Sequence, residues 1–410
     1  MPRNCASCLA ACGVLIAACS PNAGVNSGLA DAAAADAMLA NGAIDAGDAG
    51  GGGATHDAAG QADSGSDSDL DAAVAIDCGV PVDAGNPLDA AQSSPDAAAV
   101  DHCQEDPVGK VSLPADDSGH TEAMEWWYWT GHLKTADGHW FGFEEVFFGT
   151  LVAGIPGRMV HVAVSDIGGG AFHYSAVKQI GALGAIPDAF QFSMPPQTAV
   201  GGNGHDTLHG EVDGWVLDLT ADAIKPPVYQ DAVGYTAYPF GGYTYYYSRE
   251  RMAAQGTLKN GATTLPVTGT AWFDHQWGSL TNAVTLGWDW FAFQLDDDRE
   301  MMIFIVRDSG KQVLVGGSYT DASCLTTSID PADFQVASTG TWTSPRFPYC
   351  TYPAGWTVVV KGMSFTVTPA LADQEVTSAI PIYWEGAAIV SDSGGTPIGR
   401  AYVELEGYCP

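Results

Sequence analysis

From about residue 108 onward, apolar positions recur in short runs with strand-like rather than helical spacing. Residues 140–148, 287–295 and 301–306 are aromatic or β-branched and are bounded by turn-forming residues, the pattern of half-buried or fully buried strands. Asp296-Asp297-Asp298 and Asp308-Ser309-Gly310 read as hairpin turns on either side of the last run. Further strands are predicted over 313–319, 356–361, 364–368, 383–390 and 400–408. No long segment carries an amphipathic helical stripe. Many short strands at regular spacing predict an all-β architecture, sandwich or barrel.

The first 107 residues do not share this pattern. Arg3 precedes an apolar stretch over 8–18 that is too short to span a bilayer, and the stretch ends Leu15-Ile16-Ala17-Ala18-Cys19. This resembles a bacterial lipobox, which implies a signal peptide over 1–18, cleavage before Cys19 and lipidation of that thiol. Ser20, rather than Asp, follows Cys19 and favours the outer membrane. The protein is therefore expected in the cell envelope, attached by a lipid anchor. Residues 19–107 repeat Ala, Asp, Gly and Ser, with no Lys or Arg after Ser20. Such a segment buries too little apolar area to offset its ordering entropy and should form a disordered acidic tether. As a random coil its ends would lie roughly 50 Å apart.

The formal net charge is −33. The body after Val108 is also acidic and has no basic cluster that could neutralise a phosphate backbone, so a nucleic-acid partner is excluded. Of the nine cysteines, Cys5, Cys8 and Cys12 leave with the signal peptide and Cys19 is lipidated. Cys78, Cys103, Cys324, Cys350 and Cys409 meet an oxidising compartment, and their odd number leaves one unpaired. Cys324 with Cys350 is the expected disulfide, and Cys103 with Cys409 a second candidate.

Within the body, Glu125-Trp126-Trp127-Tyr128-Trp129-Thr130-Gly131 precedes the strand that contains Gly142-Phe143-Glu144 and Phe147-Phe148. Trp272-Phe273-Asp274-His275-Gln276-Trp277-Gly278 precedes Gly287-Trp288-Asp289-Trp290-Phe291 in a similar way. This echo suggests two related barrels, over 108–262 and 263–410, joined near residues 259–266. The same blocks, with Tyr383-Trp384-Glu385-Gly386 and the closing run from Gly399 to Tyr408, resemble the hydroxyneurosporene synthase (carotenoid 1,2-hydratase)/AttH family. The resemblance spans nearly the whole body, and its Asp-His-Gln-Trp-Gly block places the chain nearer the AttH branch than the carotenoid hydratases. It implies tandem lipocalin-like β-barrels and a hydrophobic ligand such as a polyene, isoprenoid or lipid. The activities it implies are hydration of a C=C bond or isomerase-like cyclisation, without a cofactor.

Alkene hydration needs a proton delivered to carbon, which a buried neutral carboxyl can supply, and aromatic faces that stabilise the resulting cation. Asp289, His275 and Asp274 are the candidate catalytic residues. Trp277, Trp288, Trp290, Glu125, Trp127, Glu144 and Tyr245 are candidate ligand-binding residues. Strand alternation turns His275 and Trp277 to one face and Asp274 to the other. His275, Trp277 and Asp289 are thus expected to converge on one apolar pocket within a barrel. Structural alternatives stand beside these roles: Asp274 capping a turn, His275 bonded to a carbonyl, and Glu125 and Glu385 paired with Arg249 or Arg307. The histidines form no HExxH or His-x-His unit, so no metal is expected. Two readings remain open, a cofactor-free enzyme and a non-catalytic lipocalin-like carrier, in either case as a monomer. If Cys19 carries the anchor, Cys19→Ser should move the protein from the membrane fraction to soluble fractions or leave it unprocessed. A variant that still partitions into detergent like the wild type would place the anchor elsewhere.

Overall fold

The computed structural model describes residues 101–280, 286–377 and 382–409. The expected signal peptide, Cys19, Cys78 and nearly all of the tether lie outside these residues. The first sheet contains β1 (Met124–Thr135), β2 (Trp140–Val152), β3 (Ile155–Asp166), β4 (Ala171–Ile180), β5 (Phe190–Met194) and β6 (Gln197–Gly202). It continues with β7 (His205–Val212), β8 (Trp215–Ala223), β9 (Val228–Tyr229), β10 (Tyr235–Ala237), β11 (Gly242–Asn260) and β12 (Thr263–Leu280). The strands are antiparallel in the order β4-β3-β2-β1-β12-β11-β8-β7-β6-β5, and β9 and β10 attach to β11. The sheet curls into a nearly closed barrel.

The second body contains β13 (Leu286–Leu295), β14 (Glu300–Asp308), β15 (Lys311–Thr320), β16 (Thr326–Ser328), β17 (Phe334–Ser338) and β18 (Thr341–Thr343). Then follow β19 (Thr351–Pro353), β20 (Trp356–Val360), β21 (Met363–Pro369), β22 (Glu375–Val376), β23 (Tyr383–Ser391) and β24 (Pro397–Leu405). The main sheet runs β16-β15-β14-β13-β24-β23-β21-β20-β17 and forms a half-barrel, while β18 and β19 make a separate hairpin. The architecture is all-β and lipocalin-like, as the periodicity and the resemblance imply.

Alternation along the strands assigns side chains to three apolar regions. Trp127, Trp129, Phe143, Phe147 and Phe273 fill the first barrel. Phe291, Phe293, Trp356, Trp384 and Val403 fill the second. The opposite faces of the same strands contribute Tyr128, Val146, Trp272, Trp290, Met302 and Tyr402 to a third region, where the outer faces of the two sheets meet. Strands β1, β2, β13 and β24 are therefore covered on both sides, which accounts for their nearly continuous apolar sequence. Polar ties cross the same junction. A register shift in β11 between Arg249 and Met252 sends Arg251 to Glu300 and Glu250 to Ser318 and Thr320. Lys225 reaches Glu300 at 2.8 Å.

The expected join near residues 259–266 is corrected, because those residues lie in the β11–β12 hairpin of the first sheet. β12 pairs with β1 along its length, so the first barrel runs to Leu280 and the second body starts at Leu286. The Trp-rich block of β1 and the Asp-His-Gln-Trp block of β12 are neighbouring strands, with Glu125 opposite Trp277, Trp127 opposite His275 and Tyr128 opposite Asp274. The echo implies equivalent positions in two repeats, but the two blocks are halves of one seam.

The four body cysteines form disulfides, but not in the expected pairs. Cys103 bonds Cys324 and Cys350 bonds Cys409. Cys324 lies in the β15–β16 connection beneath the segment entering the first barrel, where His102 N–H donates to the Ser323 carbonyl at 2.9 Å. Cys350, next to β19, meets the tail that follows β24. Cys324 and Cys350 both bond partners farther along the chain than they are from each other, at sequence separations of 221 and 59. Non-reducing peptide mapping should recover these two bridges. Replacing Cys350 and Cys409 by Ser should cost about 4 kcal/mol on the chain-entropy model. Recovery of a Cys324–Cys350 peptide would contradict this pairing.

Candidate functional site

Between the outer faces of β1, β2, β11 and β12 on one side and β13, β14, β23 and β24 on the other lies a cavity of about 200 Å³. Aromatic side chains form most of its wall: Trp126, Tyr128, Phe148, Tyr246, Trp288, Trp290 and Phe304. An apolar cavity of roughly 150 Å³ holds a benzene ring, so this one suits a ring or a prenyl end rather than a whole polyene.

Four carboxyl residues reach this wall: Asp231, which is exposed at its edge, and Asp274, Glu385 and Glu404. Asp274 accepts hydrogen bonds from Tyr246 Oη at 2.5 Å, Ser248 Oγ at 2.5 Å and Trp272 Nε1 at 2.6 Å. Burial nevertheless outweighs these donors and pushes its carboxyl up to about 6. Tyr128 Oη donates to Glu385 Oε1. Glu385 and Glu404 are directly opposite on β23 and β24, so their charged forms repel. Burial first, and then Glu144 and Glu404, push Glu385 well above the usual carboxylate range. Burial likewise raises Glu404 and Glu144. Glu144 is fully buried, and neither of its oxygens has a hydrogen-bond partner, nor has Tyr402 Oη. No ion pair with Arg or Lys is formed by Glu144, Glu385 or Glu404 among the described residues. The cavity thus holds carboxyl groups whose charged form burial disfavours, Glu385 most strongly, arranged against aromatic faces.

The expected convergence of His275, Trp277 and Asp289 does not occur. His275 and Trp277 point into the first barrel, away from the cavity, because they alternate with Asp274 and Gln276 along β12. His275 Nε2 lies 2.9 Å from Glu125 Oε1, and its ring stacks on Trp127 with centroids 4.3 Å apart. Trp277 is stacked between His120, at 4.1 Å, and Tyr245, at 5.4 Å. Asp289 belongs to another environment: Arg307 Nη1 donates to it at 2.8 Å and Tyr408 Oη at 2.9 Å. Burial raises its carboxyl in spite of Arg307.

Of the candidate ligand-binding residues, Trp288 and Trp290 line the cavity and Glu144 lies behind its wall. Glu125, Trp127, Trp277 and Tyr245 belong to the first barrel. Glu125 pairs with His120 and His275 rather than with Arg249, and Glu385 pairs with Tyr128 rather than with Arg307. Arg249 faces Asp117. Burial would raise Glu125, but hydrogen bonds from the two histidines hold it below its ordinary value. The sequence singles out neither Glu404 nor a cavity role for Glu385. The Tyr-rich run of β11 and the closing Glu-rich block were visible in the chain, but only the meeting of two outer faces gives them a common target.

The sequence pattern of the AttH-like family matches residues 104–408, about three quarters of the chain. The chain belongs to the AttH-like family. Among solved structures, an AttH protein from Nitrosomonas europaea is 28% identical with a TM-score of 0.66, over 74% of this chain and 99% of that one. Kievitone hydratase from Nectria haematococca is 16% identical with a TM-score of 0.59, over 73% of this chain and 95% of its own, a likeness of fold. No curated protein matches in sequence. In this AttH-like protein, the match includes both the cavity and the seam between β1 and β12.

The raised Asp274 has a consequence for stability. The native state holds this proton more tightly than the unfolded chain, whose Asp titrates near about 3.9. The contribution to stability is therefore complete below about pH 4 and is lost as pH rises through about 6. In denaturant titrations, Asp274→Asn should be less stable at every pH but show a flatter decline between those values. An unaltered slope would mean that Asp274 ionises at its ordinary pKa in the folded protein.

Proposed function

We propose that this AttH-like protein binds the ring or prenyl end of a hydrophobic molecule in the cavity between its two barrels. There Glu385 protonates a C=C bond. The observation that carries the reading is a buried carboxyl with no cation beside it, placed in an aromatic wall. A carboxyl of this kind is a general acid at neutral pH. Its proton goes to one alkene carbon as the π electrons form the new C–H bond. The cation left on the neighbouring carbon faces Tyr128, Trp288 and Trp290, whose ring quadrupoles stabilise it. Addition of water forms the C–O bond, and the proton that water releases restores Glu385. Glu144 and Tyr402 offer buried oxygens without partners that a water molecule would satisfy. The sum is alkene plus water giving an alcohol, with no oxidant, reductant or cofactor. Capture of the same cation by a second double bond would give cyclisation instead.

Membership of the AttH-like family, and a fold shared with a protein named as a hydratase, support this reading. In the same proposal, lipidated Cys19 and the tether hold the body at the envelope, next to membrane-soluble substrates.

The test offers the full-length protein prenylated phenols and short isoprenoid alkenes in ¹⁸O-labelled water and follows the label by mass spectrometry. Glu385→Gln should lose about two to four orders of magnitude in rate while still binding the molecule. Asp289→Asn, outside the cavity, should keep the wild-type rate. Binding without label incorporation by the wild type would identify a carrier, and full activity of Glu385→Gln would assign the acid elsewhere.

A further inference from the structure

On the face of β1 and β12 opposite the cavity, three side chains from three separate segments come to one point. Glu125 extends from β1, His275 from β12, and His120 from the loop that precedes β1. His120 Nδ1 lies 2.6 Å and His275 Nε2 2.9 Å from the same Glu125 oxygen, Oε1. All three donor atoms lie within 4.8 Å of one another. We propose that His120, Glu125 and His275 form a binding site for a divalent first-row cation, with Zn²⁺ the ion best suited to their donors.

The donor chemistry points this way. Two imidazole nitrogens and one carboxylate oxygen are a recurrent zinc set, with bonds of about 2.0–2.2 Å, and they leave a fourth position for water. Tetrahedral donors at such bond lengths are about 3.4 Å apart, so Glu125 has to retreat from each imidazole by less than about 1 Å. His275 is fully buried, at the inner end of the cluster. His120 is the outermost of the three, with 21% of its side chain exposed, and provides access from solvent.

Around His120 the surrounding groups match those that orient metal ligands, whereas His275 Nδ1 is buried without a hydrogen-bond partner. On the far side of His120, Nε2 faces Asp116 Oδ1 at 3.4 Å, a carboxylate–histidine relay toward the ion. Asp116 is itself fixed by the Ser112 N–H at 2.7 Å. The second oxygen of Glu125 accepts the His120 N–H at 2.9 Å. Trp277 lies parallel to the His120 ring, at 2°, and Trp127 stacks on His275, so both imidazole planes are set by packing rather than by each other. A hydrogen-bonded cluster needs only one histidine against Glu125; here two aim at one oxygen, and each ring plane is fixed separately. A bound ion would pin the loop before β1 to the seam that closes the first barrel. Since this site and the cavity occupy opposite faces, either can exist without the other.

The test uses full-length protein dialysed against EDTA, with thiols capped by iodoacetamide, titrated calorimetrically with ZnCl₂. One equivalent should bind and raise the melting temperature, MgCl₂ should not compete, and CoCl₂ should give the visible absorption of a four-coordinate site. Asp116→Asn should weaken binding by about 10–100-fold. His120→Ala and Glu125→Gln should each abolish stoichiometric binding. His205→Ala, on an exposed histidine elsewhere, should bind like the wild type. Absence of Zn²⁺ binding by the wild type overturns the proposal, as does wild-type binding by a folded His120→Ala protein. The melting curve of each variant separates loss of the site from loss of the fold.

Discussion

The antiparallel pairing of β1 with β12 closes the first barrel and at the same time presents an outer face to the second body. Strand pleating gives each residue of this seam one of two destinations, with no intermediate. Trp127, Trp129, Phe273, His275 and Trp277 go inward; Trp126, Tyr128, Trp272, Asp274 and Gln276 go outward. A shift in register by one residue would exchange the contents of barrel and cavity, so the hydrogen-bond ladder between these strands positions both sites.

The polar groups near the seam are retained at a cost in stability. A buried carboxyl without a cation is unfavourable in its charged form and remains in place by holding its proton. In the cavity this condition is met by burial and by the cross-strand opposition of Glu385 and Glu404. In the barrel, Glu125 has the opposite surroundings: two histidines hold its carboxyl below its ordinary value. Carboxyl groups on the two faces of the seam are thus shifted in opposite directions. That division suits the outer face to the proposed acid chemistry and the inner face to the proposed cation site.

The two bodies are also held together by more than their aromatic faces. Arg251 and Lys225 both reach Glu300, and Gln294 donates to the carbonyls of Glu250 and Ala271. The disulfide between Cys103 and Cys324 attaches the entering chain to the second sheet. A cavity formed between two bodies requires such fastening, because sliding at the junction would change its shape.

Much of this protein was legible in its residues. Period-two alternation, turn dipeptides and the Trp-rich blocks announce an all-β body, since strand pleating is a local property of the chain. The motif order from Glu125 to Tyr408 carries the family, and Trp288, Trp290 and Asp274, all singled out in the sequence, lie at the cavity wall. Alternation also separates His275 from Asp274 before any fold is known. The chain alone did not reveal which strands are neighbours: that β12 closes the first barrel, that Asp289 faces Arg307, or that Cys103 meets Cys324. Those pairings join residues from 18 to 221 positions apart and depend on how sheets curl and pack. Glu385 and Glu404 looked like ordinary strand residues because their raised pKa values come from neighbours and burial, which belong to the tertiary structure. Local periodicity determines which face a side chain takes; only the assembled sheets decide what that face meets.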